Sequence, residues 1–99
     1  MANQVQRLHV KILGRVQGVG FRYNTKRKAD ELGITGWVMT RPDRTVAALA
    51  EGTQAQLKEF HQYLKIGPPA ATVHSVEILS DAPATGKFDG FTIRYWTGD

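Results

Sequence analysis

The feature that most restricts the fold is a change of hydrophobic period across a glycine-rich turn. Before the turn, Leu8, Val10 and Ile12 alternate with Arg7, His9 and Lys11, the two-residue repeat of a strand with one buried face. After it, Phe21, Thr25, Ala29 and Leu32 recur at helical spacing until Gly33 offers a C-terminal stop. Between the two lie Gly14, Gly18 and Gly20, three glycines in seven residues. Glycine adopts positive φ without a Cβ clash, so the chain can reverse here within a few residues. A strand turning this tightly into an amphipathic helix needs a sheet on which that helix can pack.

The remaining chain supplies the sheet. Thr35–Thr40 is rich in β-formers, Arg41-Pro42-Asp43-Arg44 has turn chemistry, and Thr45–Glu51 reads as the returning strand of a hairpin. Thr53-Gln54-Ala55-Gln56 has the form of a capping box, and Leu57, Phe60 and Leu64 make the buried stripe of a second helix. Gly67-Pro68-Pro69 ends that helix. A strand over Val73–Leu79 is expected to turn His74, Val76 and Ile78 to one face, and Asp81–Gly90 reads as a polar loop. Phe91, Ile93 and Tyr95 alternate in a last strand. The order β-α-β-β-α-β plus one C-terminal strand predicts an α+β, ferredoxin-like sandwich. Two helices would cover one face of a mostly antiparallel sheet, and residues 1–99 would form one domain.

The glycine turn has chemistry of its own. Successive backbone N–H groups beside a helix N-terminus form a concavity suited to anions. The backbone of Arg15, Val16, Gln17, Gly18, Val19 and Gly20 is the candidate cradle, and Arg22 can close it with a planar fork of donors matched to phosphate oxygens. A structural connection carrying a surface arginine would use the same residues. No Gly-Lys-Ser/Thr follows, so the stretch is not a P-loop. Gly18-Val19-Gly20-Phe21-Arg22-Tyr23 also lacks the last glycine of a dinucleotide fingerprint.

Gly14-Arg15-Val16-Gln17-Gly18-Val19-Gly20-Phe21-Arg22 resembles the signature of the acylphosphatases, small hydrolases of acyl phosphates. The similarity continues through Ala29, Leu32-Gly33, Gly36-Trp37-Val38 and Phe91-Thr92-Ile93-Arg94-Tyr95. The resemblance implies that Arg22 binds the phosphoryl group. It also implies that an asparagine in Gly-Trp-Val-x-Asn orients the attacking water, with inorganic phosphate as product and inhibitor. Here Gly36-Trp37-Val38-Met39 leads to Thr40 instead. A hydroxyl donates and accepts, but on a shorter stem and without an amide N–H. The hairpin turn also departs, with Asp43-Arg44 where the family has Asp-Gly. Arg22 and Thr40 are therefore the candidate catalytic residues. A slow acylphosphatase and a non-catalytic anion-binding relative are the two readings that follow.

Charge agrees with an anionic ligand: the net charge is +4, and Arg15, Arg22, Lys26, Arg27 and Lys28 cluster near the turn. Such a run also serves simply as a solvated helix face. Lys87-Phe88-Asp89-Gly90-Phe91 faintly resembles an RNA-binding aromatic strand motif, but it lies in the last strand and leaves the glycine turn without a role. No nucleic-acid partner is expected. His9, His61 and His74 lack metal-ligand spacing and the chain has no cysteine, so neither metal nor cofactor is expected. No stretch has the apolar length of a membrane span and Met1–Arg7 lacks an apolar signal core. A cytoplasmic monomer acting on a small acyl phosphate, with no membrane partner, is the expectation.

Overall fold

The computed structural model describes residues 5–96. Five strands and two helices follow in the order β1 (Val5–Arg15), α1 (Phe21–Leu32), β2 (Thr35–Thr40), β3 (Val46–Thr53), α2 (Gln54–Ile66), β4 (Thr72–Pro83) and β5 (Phe91–Arg94). They form one sheet in the order β4-β1-β3-β2-β5. Every pairing is antiparallel except β2 with β5, which is parallel. This is the ferredoxin-like arrangement with a fifth strand added beside β2.

Alternation along the strands places the core. Leu8, Val10 and Ile12 of β1, Val38 of β2, Val46, Ala48 and Ala50 of β3 and Phe91 of β5 all face the helices. Phe21 and Ala29 of α1 and Leu57, Phe60 and Leu64 of α2 pack down on them, with Phe60 edge-on to Phe91. Burial of Phe91 in this layer removes it from any surface where a base could stack.

Helix ends follow the local chemistry. Gly33 ends α1 at φ 76°, donating to the carbonyls of Ala29 and Asp30. At α2 the capping box closes in both directions: Thr53 Oγ1 accepts from Gln56 N–H and Gln56 Oε1 accepts from Thr53 N–H. Gln56 Nε2 also donates to the Leu32 carbonyl at 2.7 Å, tying the start of α2 to the end of α1.

β4 differs from its expected extent and facing. It runs on to Pro83, and the polar loop shrinks to the residues after it. Its pairing with β1 slips twice, leaving His74 and Leu79 as extra residues on β4. Each bulge shifts the alternation by one position. Val73 and Val76 therefore pack on the core while His74 is exposed, and Ile78 lies 53% open at the sheet edge. Two bulges on a long edge strand also disrupt its template for pairing with another chain.

β3 is the central strand and is buried on both faces, so its helix-free side needs its own cover. His9 and Trp37 meet edge-to-face across Leu49, their ring centroids 5.7 Å apart. The Arg94 guanidinium stacks over Trp37 and lies near Phe88. Burial and the nearby Arg7 and Arg41 charges lower the pKa of His9, which favours the neutral form of the ring that packs on Trp37. Further along, Glu51 is only 3% exposed. Its carboxylate accepts from Thr85 N–H (2.8 Å), Thr85 Oγ1 (2.9 Å) and Gly86 N–H (3.0 Å). These bonds hold the loop after β4 over the sheet. The same loop delivers Gly90, whose carbonyl accepts from Gly36 N–H at 3.0 Å and sets the start of β5.

Candidate active site

The turn between β1 and α1 owes its shape to glycines at positions where a side chain is strained. Gly18 and Gly20 have φ of 73° and 75°, and Gly20 occupies the N-cap of α1 in the left-handed region. Gly14, at φ 136°, lies so close to β4 that a Cβ there would meet the Thr72 carbonyl oxygen at 2.1 Å. Asn24 N–H and Asn24 Nδ2 both donate to the Gly20 carbonyl, at 3.0 and 2.8 Å, which fixes the first turn of the helix. Among the described residues, no protein acceptor takes the N–H groups of Gln17 through Tyr23. Those of Phe21, Arg22 and Tyr23 are the orphan donors of a helix start, and those of Gln17 to Gly20 extend the set into the turn.

A second element is locked onto this turn by Gln17. Its Nε2 donates to the carbonyls of Arg41 and Thr45 at 3.0 and 3.2 Å. Those two residues close the β2–β3 hairpin, where Arg41 N–H donates to the Thr45 carbonyl at 2.8 Å. Asp43 tightens the hairpin from within, accepting from Thr45 Oγ1 (2.5 Å) and Thr45 N–H (3.1 Å). These two bonds lower the Asp43 pKa, the hydroxyl contributing most, and Lys11 lies 3.7 Å from the carboxylate. Arg44, where the family pattern has glycine, sits at φ 72°, the one non-glycine residue with positive φ among those described.

The lock brings the end of β2 against the glycine turn. A pocket of about 160 Å³ opens there. Val16, Gly18, Gly20 and Arg22 line one side of it and Thr40 another, so the two candidate catalytic residues and part of the candidate cradle share one concavity. Val16 is also a core residue, anchoring the turn from below. Gln17 and Val19 do not line the pocket: the first acts as the lock, and the second packs on the core. Arg15 is exposed at the end of β1, opposite Thr72.

Four lining residues, Phe21, Tyr23, Ile93 and Tyr95, lie outside the candidate set that the sequence offers. They complete the wall, and the Arg22 guanidinium carbon lies 5.4 Å from the centre of the Tyr95 ring. The sequence pattern carries the last strand to Tyr95, but β5 ends at Arg94 and Tyr95 follows directly after it. The parallel pairing of β5 with β2 brings this end of the strand to the glycine turn. The basic run on α1 is partly neutralised, by Lys26 with Asp30 at 2.7 Å and Lys28 with Glu59 at 3.4 Å. Among the described residues no three His, Asp or Glu side chains converge as a metal site, and no helix is long and apolar enough to cross a membrane.

A profile of the acylphosphatase family matches residues 8–93. The chain belongs to the acylphosphatase family. It is similar to an acylphosphatase of Acaryochloris marina, 45% identical over 86 residues that span 87% of this chain and 90% of that one. An acylphosphatase of Rubrobacter xylanophilus is 42% identical over 93 residues, 94% of this chain and 84% of the relative. In three dimensions the fold superposes on the crystal structure of an acylphosphatase from Bacillus subtilis with a TM-score of 0.87. That alignment has 34% sequence identity and covers 91% of this chain and 99% of that one. The acylphosphatase family is thus carried by both sequence and fold, and the unpaired amides, Arg22 and Thr40 lie within the matched region.

Proposed function

We propose that the chain hydrolyses the carboxyl–phosphate anhydride of small acyl phosphates. The observation that carries this reading is that Gly18 and Gly20 of the turn, Arg22 and Thr40 line one pocket, next to turn N–H groups without a protein acceptor among the described residues. The amides and the Arg22 fork hold the phosphoryl oxygens, neutralising their charge as it redistributes in the transition state. A water positioned at Thr40 Oγ1 attacks phosphorus in line with the leaving group. The new P–O bond forms as the bond to the acyl oxygen breaks. The carboxylate departs with the bonding electron pair, and the water's proton passes to solvent or to the phosphate produced. The leaving carboxylate is a weak base, so the anhydride needs neither a covalent enzyme intermediate nor a metal. Positioning and charge compensation suffice.

Turnover of an acyl phosphate by the purified protein, alongside Arg22→Lys, tests this. Lysine keeps the charge and loses the bidentate fork. The rate should fall by roughly 10²–10³-fold, as when a transition-state donor is removed, with the fold intact. Wild-type turnover in Arg22→Lys would remove Arg22 from the mechanism.

A second reading, a phosphate-binding relative without turnover, draws on Thr40 in the asparagine position. It shares the cradle and differs only in the water. Phosphate binding without hydrolysis would favour it.

A further inference from the structure

The helix-free side of the sheet carries rings and arginines for which hydrolysis has no use. The Arg94 guanidinium carbon lies 5.6 Å from the centre of the Trp37 ring and 5.8 Å from that of Phe88. Just past the ends of β2 and β5, the Arg41 guanidinium carbon lies 5.2 Å from the centre of the Trp96 ring. His9 meets Trp37 from the β1 side, and the charges of Arg7 and Arg41 both reach it. Arg94 and Trp96 are exposed, so one guanidinium and one ring are open to solvent. Among the described residues no carboxylate is ion-paired with Arg7, Arg41 or Arg94. Asp43 is engaged by Thr45 and Lys11, and Glu51 by Thr85 and Gly86. Glu77 stands on β4, at the far edge of the sheet. Arg7 Nε, His9 Nε2 and Arg41 Nε are buried atoms without a protein partner among the described residues, although buried polar atoms are ordinarily paired. The face thus holds charge and hydrogen-bonding capacity that the protein leaves uncompensated.

We propose that this face binds single-stranded nucleic acid, without base preference, along β2 and β5. Two features select that occupant. Uncompensated arginines attract a polyanion. Rings interleaved with guanidinium planes give unpaired bases a surface on which to stack, which an acidic peptide would leave unused. A duplex keeps its bases stacked inside and would engage the charge alone. Phe91, the ring that the sequence offers in an RNA-binding pattern, lies in the core. The rings of this face gather instead through the parallel register of β2 and β5, which no motif records. The expectation of no nucleic-acid partner rests on motif order, and the folded face replaces it. The proposal is independent of acyl-phosphate hydrolysis, since none of these side chains lines the pocket at the glycine turn.

The test is fluorescence anisotropy of a labelled oligouridylate of about twelve nucleotides, within the span of known single-strand sites. Protein is titrated in at about 50 mM salt, with inorganic phosphate held constant to occupy the glycine turn. Trp96→Ala should weaken binding about tenfold, the effect of losing the stacking of one base. Arg94→Lys keeps the charge and loses the plane, and should weaken binding about fivefold. Both residues are exposed, so thermal unfolding should show both variants intact. Inorganic polyphosphate of equal charge, and a duplex of equal length, should each displace the probe about tenfold less well than unlabelled oligouridylate. No rise in anisotropy with protein up to about 0.3 mM, beyond the usual range of non-specific binding, would overturn the inference. Wild-type affinity in both variants, or equal displacement by polyphosphate, would overturn it too, because the arginines would then act by charge alone.

Discussion

Replacing Glu51 should loosen the strap that carries β5 to the site. Its carboxylate accepts three hydrogen bonds from Thr85 and Gly86 while almost wholly buried. Hydrogen bonds to a charged group contribute roughly 1.5–3 kcal/mol each when undisturbed. Thr85 and Gly86 are themselves exposed and can turn to water once released, which recovers much of that. Burial of the charge also works against the carboxylate. The expected cost of Glu51→Ala is therefore about 2–3 kcal/mol, a fall of roughly 10–20 °C in Tm for a domain of this size. Glu51→Gln keeps the shape but turns an NH2 toward an N–H donor, and should lose about half as much.

The pH dependence of Glu51 has a definite sign. Burial pushes its pKa up, but the bonds from Thr85 N–H, Thr85 Oγ1 and Gly86 N–H, with the Arg7 charge, outweigh it and leave the value below that of an ordinary glutamate. A carboxylate whose folded pKa is depressed stabilises the protein above the unfolded value, and that contribution is lost as pH falls through the folded one. Wild-type stability should thus decline below the ordinary glutamate range, and Glu51→Gln should lack that component. Urea unfolding of both proteins from pH 7 down to about pH 3, with hydrogen exchange at the Thr85 and Gly86 amides, measures it. Equal stability at pH 7 and parallel pH profiles would show that the clasp contributes nothing.

Thr40→Asn should raise acyl-phosphate turnover, by up to roughly 10²-fold if the water is now misplaced by about 1 Å, while phosphate inhibition changes little. An unchanged or lower rate would end the assignment of Thr40 as a water-orienting position. Gln17→Ala removes both bonds between the glycine turn and the hairpin. It should cost about 1–2 kcal/mol in urea unfolding and weaken phosphate binding, measured by calorimetry. Arg44→Gly relieves a left-handed residue at φ 72°. A gain of about 0.5–1 kcal/mol is expected after the greater flexibility of unfolded glycine is subtracted, read as a rise in Tm.

Much of this molecule is local in origin, and local features are legible in one dimension. The boundaries of α1 follow from Gly20 and Gly33, which permit left-handed backbone at its two ends, and the start of α2 from a capping box that closes within four residues. Alternation in β1 and β3 sorts side chains between the two faces because the period of a strand is a geometric constant. The glycine turn, Arg22 and the departure at Thr40 are contiguous or nearly contiguous signals, so the candidate site could be named from residue order. Tertiary structure decided what depends on pairing across long separations. The bulges at His74 and Leu79 reassigned the faces of β4, because register is set by the partner strand. Gln17 reaches carbonyls 24 and 28 residues away, Glu51 holds a loop 34 residues on, and Tyr95 meets Arg22 only because β5 enters the sheet parallel to β2. No composition or period encodes those meetings. They arise when the core closes and brings the ends of distant strands to the same side of the sheet.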